Sequence, residues 1–421
     1  MINATELGRR LRAARDACGL TQDEVADELG ISRSAVAQIE LGNRSVAGLE
    51  LAKLAFLFGS DMRELLADEY VAERDPLGAL FRANGDVSQD PKVTRRLREC
   101  IALGRELTHL EELLGFDRES AIAASYPLPQ PRTKWEAIEQ GARVADEERR
   151  RLGLGQTPIP DLVELLETQG VRTAIASLPE DVSGLTLSDK RTGLFVVANA
   201  DHHVLRRRFS LAHEYAHILV DRERFGLISR TSQHDDLIEM RANSFAATLL
   251  MPAEGVRLFL ANLGKGRPTR AQLDIFDDQG VAVEVVEARA DPQTQAVQPY
   301  DVIHLAHHFG VSGSMALYRL KSLRFLVPSE VERLKPVIEE RGAALRRILQ
   351  LPEPAHADER NAFRHRFVSL GLEALRREVI SKAKLVELAR MVDVRPNQVE
   401  QLLREFELET EPVPVVIPDD G

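Results

Sequence analysis

Two histidines four residues apart flank a glutamate in the run His213-Glu214-Tyr215-Ala216-His217. On a helix this spacing puts both imidazoles on one face, one turn apart, so both can reach a single metal ion. Glu214, beside the first ligand, is then placed to act as general base toward a water attacking at that metal. Phe209, Leu211, Ala212, Ala216, Ile218 and Leu219 supply apolar faces that would hold the ligands in a dry, rigid site. The bland alternative is a core helix that carries two histidines by chance. With 11 histidines in the chain such a match is rare, and rarer in so apolar a setting.

A catalytic zinc takes three protein ligands and leaves its fourth position to water. A metzincin would have a histidine six residues after His217 and a glycine at the third. Glu223 and Val220 stand there, which excludes that class. The segment Leu237–Pro252 has apolar residues at helical spacing and few breakers before Pro252. It reads as a second buried helix that turns the Glu239 carboxylate toward the first. His234, Asp235 and Asp236, in an expected loop just upstream, are the weaker candidates for the third ligand. Glu239 could instead be a first-turn carboxylate stabilised by the helix dipole.

The run RRFSLAHEYAH, followed by E-x-x-A-N-x-F-A-A-x-L-L-M-P, resembles the ImmA/IrrE family of zinc metallopeptidases, over about residues 133–326. The resemblance implies His213, His217 and Glu239 as Zn2+ ligands and Glu214 as the catalytic base. It also implies a protein substrate, a repressor-type regulator cut during a stress or mobile-element response. Many members carry another glutamate just before the alanine of the second motif. This chain has Arg241 there, so only Glu239 can serve. Tyr215 stands where Leu or Met often follows the catalytic glutamate.

The elements expected to position these groups follow in order. After a helix from Trp135 through Arg151 and a short one at Leu162–Thr168, strands are expected at Val171–Ala176, Gly184–Leu187 and Leu194–Ala198. The charged run Asp146–Arg151 reads as a solvated helix face. The strand Gly193–Asn199 just before the metal helix is expected to be the edge that pairs with an extended substrate. His202 and His203 fall in the turn after it. Further on, a hairpin is expected at Val281–Val286 and two helices with a Gly-Val-Ser turn in Tyr300–Phe325. His304 and His308 there stand at i, i+4 beside His307, but no glutamate partner follows, so packing or surface roles fit them better.

The first 68 residues carry a different signature. Short helices are expected at Glu6–Cys18, Thr21–Leu29, Ser32–Leu41, Val46–Phe58 and Met62–Ala67, with Thr21 and Glu24 forming a capping box. The pattern Thr21-Gln22, Ala26, Leu29-Gly30-Ile31-Ser32, Val36, Ile39-Glu40 and Gly42 resembles an XRE-type (Cro/repressor-like) helix-turn-helix domain. That likeness starts the recognition helix at Ser32. Ser32, Arg33, Ser34 and Gln38 would face base edges, while Gln22, Asn43 and Arg44 would settle on phosphates of an operator. Eight Lys/Arg against eleven Asp/Glu in this segment leave a protein-binding module as the alternative.

Composition bounds the rest. A chain of 421 residues has room for two or three domains. Its net charge of −11 excludes an unspecific nucleic-acid coat. Two distant cysteines, Cys18 and Cys100, argue for a reducing, cytoplasmic setting. No run reaches the length of a membrane span, and the polar start is not that of a signal peptide. The apolar stripe Val93, Leu97, Ile101, Leu107, Leu110, Leu113 and Leu114 suits either internal packing or a homodimer. Tyr126–Arg132 is a stiff proline linker. Lys384–Phe406 resembles a second helix-turn-helix, with a partner- or signal-binding surface equally open.

The expected architecture is α+β, mainly α. It comprises a helix-turn-helix domain at 1–68, a helical connector and proline linker at 69–132, and a zincin-like metallopeptidase domain with a small sheet at 133–299. A helix-turn-helix-like pair at 300–326, a C-terminal helical domain at 327–410 and a disordered tail at 411–421 complete it. Because a free peptidase is hazardous, one flanking module is expected to cover the zinc cleft or the Gly193–Asn199 edge. A ligand, nucleic acid among the candidates, would favour the open state.

Overall fold

The computed structural model describes residues 2–60, 62–67, 91–116, 123–189, 192–223, 226–230, 236–265, 272–276, 282–286, 296–352 and 359–409. The tail from 411, and His234 and Asp235, lie outside them. The chain is α+β and mainly α, with one four-stranded mixed sheet and a two-stranded hairpin.

Five helices open the chain: α1 (Ala4–Ala17), α2 (Gln22–Leu29), α3 (Arg33–Glu40), α4 (Gly48–Phe58) and α5 (Met62–Leu66). Their ends follow the chemistry of the caps. The Thr21 hydroxyl accepts from Glu24 N at 3.2 Å while the Glu24 carboxylate accepts from Thr21 N at 2.7 Å. Gly30 then takes the left-handed conformation that ends α2, and Ser32 caps α3. Leu11, Val25, Val36, Ile39 and Leu54 fill the space between these helices. A buried Arg15–Glu40 pair at 2.6 Å links α1 to α3.

Helix α6 (Pro91–Leu114) buries Ile101, Leu107, Leu110 and Leu114 within the chain itself. Of the two readings of that stripe, internal packing accounts for these four. The side chains of Val93 and Leu97 lie outside the described residues.

Tyr126–Arg132 forms neither helix nor strand, and it is docked at its start. Tyr126 N donates to Leu219 O at 2.7 Å, and Arg222 Nη2 donates to the carbonyls of Ala123 and Ala124, both at 2.8 Å. Helix α7 (Lys134–Arg151) corrects a second expectation. Within its charged run only Asp146, Arg150 and Arg151 face solvent; Glu148 and Arg149 are buried. Arg149 donates to the carbonyls of Gly155, Thr157 and Leu249. Glu148 accepts from Tyr126 Oη at 2.9 Å, from Arg151, and from the hydroxyl of Tyr215 on the metal-ligand helix. The departure at position 215 thus has a buried carboxylate waiting for it. Burial and the Glu148 charge together push the Tyr126 phenol up to about 12.

After α8 (Leu162–Thr168) come β1 (Arg172–Ala176), β2 (Val182–Asp189) and β3 (Gly193–Asn199), then α9 (Val204–Val220) and β4 (Gly226–Arg230). The sheet order is β1-β3-β2-β4. Strand β3 is parallel to β1 and antiparallel to β2, so both its ladders are filled. The Gly193–Asn199 strand is therefore central, and the edges are β1 and β4. One face of the sheet, with Val196 and Ala198, packs on α9. The reverse face, with Leu185, Leu187, Phe195, Val197 and Ile228, packs in the same cluster as α6 and the cores of α1–α4.

Helices α10 (Leu237–Leu250) and α11 (Ala253–Asn262) follow. Among the described residues no single helix is long and apolar enough to cross a membrane; α10 and α11 would qualify only as a pair, bent by 44°. Their inward residues, Ala242 through Leu260, are core. Helix α10 lies so close to α7 that a Cβ at Gly141 would sit 2.2 Å from Arg241 O.

The hairpin of β5 (Gln272–Phe276) and β6 (Ala282–Val286) precedes α12 (Pro299–Phe309) and α13 (Gly313–Ser322), with Gly310 left-handed between these helices. His304 and His308 are exposed, with their rings against Phe259 at 5.5 and 4.9 Å. Helix α14 (Pro328–Ile348) packs on α12 and α13 through Val331, Leu334 and Ile338. Helix α15 (Glu359–Arg376) instead lies on the reverse face of the sheet, where Phe363 stacks on Phe195 at 6.0 Å and on Phe367 at 5.9 Å. Helices α16 (Lys382–Met391) and α17 (Pro396–Glu409) complete the C-terminal unit. The α1–α6 unit and α15 both sit behind the sheet, on the side away from α9. Among the described residues, neither covers the histidine pair.

Candidate metal centre

Helix α9 starts at a His203 cap, whose Nδ1 accepts from Leu205 N at 3.2 Å, and runs with Leu211, Tyr215 and Ile218 buried. Its 3.6-residue turn brings His213 Nε2 within 3.2 Å of His217 Nε2. Helix α10 is capped by Asp236, whose carboxylate accepts from Ile238 N and Glu239 N. Asp236 therefore starts α10 and is exposed, while Glu239 in the first turn points inward. Glu239 Oε2 lies 3.1 Å from His213 Nε2, and its Oε1 lies 3.4 Å from His217 Nε2. These three residues form a buried group that could hold a metal ion, their donor atoms all within 4.8 Å of one another.

The outer edges of both imidazoles are held. His213 Nδ1 is 2.9 Å from Asn243 Oδ1, and His217 Nδ1 is 3.0 Å from Asp221 Oδ2. With a metal bound, these oxygen acceptors would keep the proton on Nδ1 and leave Nε2 to ligate, as a metal-ligating histidine requires. Asp221 is itself anchored by Arg241 Nη2 at 2.5 Å. The residue that departs from the family pattern thus supports the ligand shell from outside. Two nitrogens and a carboxylate in this arrangement fit Zn2+.

Glu214 is fully buried beside this triangle. Its Oε2 accepts from Thr186 Oγ1 on β2 at 2.6 Å, and among the described residues its Oε1 has no hydrogen-bond partner. Burial pushes the Glu214 carboxyl up from its ordinary value, against the pull of both histidines. Burial also works to raise Glu239, but hydrogen bonds from His213 and His217 override it and hold that carboxyl below the usual range. Two neighbouring carboxyls are thus tuned apart, one toward carrying a proton and one toward staying an anion. For His217, burial opposes the charged form, yet Asp221 and Glu239 push its pKa up to about 10.

In the N-terminal unit, Ser32, Arg33, Ser34, Gln38 and Asn43 are exposed. Asn43 Nδ2 donates to Gln38 Oε1 at 3.0 Å, the Ser32 and Ser34 hydroxyls are 2.9 Å apart, and Arg33 stands 3.6 Å from Asp23. Gln22 and Arg44 are half-buried and already tied, Gln22 to Glu40 at 2.8 Å and Arg44 to Glu50 at 2.7 Å.

Sequence reasoning missed Thr186, Gly184, Asp221 and Asn243. Asn243 lay inside the quoted second motif, and Asp221 stands four residues after His217, one helical turn away. Thr186 and Gly184 gave no local signal.

Residues 166–321 match the family described as IrrE N-terminal-like domain, and residues 11–65 match the family described as Helix-turn-helix. No curated protein matches the chain. The first match takes in β1 through α12 with the histidine pair, and the second runs from within α1 to within α5. The chain thus joins an XRE-type helix-turn-helix domain to an IrrE/ImmA-like domain of metallopeptidase type.

Proposed function

We propose that the protein is a zinc-dependent endopeptidase and DNA-binding transcriptional regulator that cleaves a repressor-type protein in a stress or mobile-element response. The convergence of His213, His217 and Glu239 beside a buried Glu214 carries this reading. His213, His217 and Glu239 would hold the zinc. When bound, the ion supplies the Lewis acidity that activates water and polarises the scissile carbonyl. Glu214 takes the proton of the attacking water and delivers it to the leaving amine. Asn243 and Asp221 keep the imidazoles turned. Strand β4 is the outer neighbour of β2, which lies against Glu214, so an extended substrate would add to β4.

A second reading is a transcription factor whose metallopeptidase-like domain senses or scaffolds without proteolysis. It is favoured by closure of the site, with Glu214 at 0% and His217 at 1% exposure. Incubating the zinc-loaded protein with repressors encoded beside its gene, with and without damaged or single-stranded DNA, separates the two. Cleavage that depends on Glu214 is the expected result. Intact repressors under every condition would leave the sensor.

The helix-turn-helix domain is proposed to bind an inverted-repeat operator as a cytoplasmic homodimer, with Ser32, Arg33, Ser34 and Gln38 at bases and Gln22, Asn43 and Arg44 at phosphates. In the full-length protein, Arg33→Ala is expected to cost about 1–3 kcal/mol at the preferred site and to relax sequence preference. Arg44→Ala is expected to weaken all sequences alike and lower the salt slope by about one. Binding selections at two salt concentrations read both effects. Absence of any sequence preference in the wild type would turn the domain into a protein-binding module.

A further inference from the structure

We infer that Thr186 and Gly184 on β2 are positioning residues that give the two oxygens of Glu214 different tasks, Oε2 as anchor and Oε1 as proton carrier. The inference deepens the peptidase reading and rests on it. Thr186 Oγ1 lies 2.6 Å from Glu214 Oε2 and 3.2 Å from Glu214 O, so one hydroxyl is fixed against both ends of the residue. A hydroxyl has a single proton, and the shorter contact to the carboxylate takes most of it. The carboxylate cannot rotate without giving up that bond.

Gly184 governs the other oxygen. A Cβ there would lie 2.3 Å from Oε1 and 2.9 Å from Cδ and Cγ of Glu214. Any side chain at 184 would push the carboxylate away. Residues 184 and 186 are two apart on a strand and so share a face, the same one as their cross-strand partners Ala198 and Val196 of β3. Strand β2 therefore makes room for one oxygen and holds the other. Among the described residues Oε1 is buried and has no hydrogen-bond partner, which makes it the oxygen open to a proton. In the reaction, the water proton passes to Oε1 as the water oxygen bonds to the carbonyl carbon. The same proton then leaves Oε1 for the amine nitrogen as the C–N bond breaks.

The test uses full-length zinc-loaded wild type, Thr186→Val, Thr186→Ser and Gly184→Ala. Each is read by zinc content, by crystal structure and by turnover of a quenched fluorogenic peptide library. All four are expected to bind zinc alike, since no ligand changes. Thr186→Val should lose about 10- to 100-fold in kcat at unchanged KM, Gly184→Ala about 100-fold or more, and Thr186→Ser should recover to within about threefold of wild type. In crystals, Oε2 should stay on Thr186 in the wild type, and the carboxylate should swing in Thr186→Val. Wild-type kcat in Thr186→Val, or a zinc-loaded wild type in which Glu214 has left Thr186, overturns the inference. If Gly184→Ala does not fold, the two Thr186 variants decide. If the wild type turns over no peptide, the peptidase reading fails by itself, and the crystal comparison alone upholds or overturns the clamp.

Discussion

Replacing Glu214 by glutamine is expected to leave about one zinc per chain in place and to cut peptide hydrolysis by about 10²–10⁴-fold. The amide keeps the shape of the side chain but cannot take a proton from water. The three donor atoms that face one another belong to His213, His217 and Glu239, so nothing in the ligand set changes. Alanine at any of those three should instead remove the metal along with the activity, because two remaining ligands bind zinc far more weakly. Metal analysis of the four purified variants separates a base from a ligand. Full zinc occupancy in Glu239→Ala would move the third ligand upstream, to His234 or Asp235. Loss of zinc in Glu214→Gln would make Glu214 itself part of the shell.

The second large effect is expected far from the zinc. Arg172 on β1 is buried, ion-paired with the buried Glu111 of α6, and donates to Thr108 Oγ1 at 2.7 Å, Thr192 O at 2.6 Å and Gly104 O at 3.3 Å. Removing one member of a buried pair leaves the other charge desolvated. Arg172→Met should therefore destabilise by about 3–5 kcal/mol, read as a lower urea midpoint. Arg366, 3.1 Å from Glu111 but partly exposed, offsets only part of the loss. The double variant Arg172→Met, Glu111→Leu should regain much of it, since neither charge is then stranded. A single variant that unfolds at the wild-type midpoint would show that the pair does not fasten α6 to the sheet.

What could be read before folding was what the chain encodes locally. The His213–His217 spacing, the Thr21–Glu24 box and the cap at Ser32 are each settled within a turn or two of helix, and each stands where it was expected. The errors arose where partners are distant in sequence. Glu148 looked like part of a solvated run because its partner Tyr215 lies 67 residues away. Tyr126–Arg132 reads as a free spacer because its partner Leu219, at the far end of α9, lies 93 residues beyond Tyr126. Strand β3 reads as an edge from its sequence because nothing within β1 or β2 tells that both of them pair with it. Strand order, unlike strand existence, is a property of pairings that no single segment contains.

The reverse side of the sheet has a consequence for how this protein can be taken apart. Leu57 and Phe58 of α4, Ile101 and Leu107 of α6, Phe195 of the sheet and Phe363 and Phe367 of α15 belong to one continuous apolar cluster. Each module supplies side chains that another module keeps dry, as voussoirs in an arch hold one another up. Severing the chain near residue 326 would strip the Phe363 ring from Phe195, and severing it at the proline strap would bare the inner side of α6. Fragments made this way meet water with surface that had been interior, and sticky surface of that kind drives aggregation or rejoining. Single side-chain changes in the intact chain are therefore the cleaner instrument for assigning tasks to its parts.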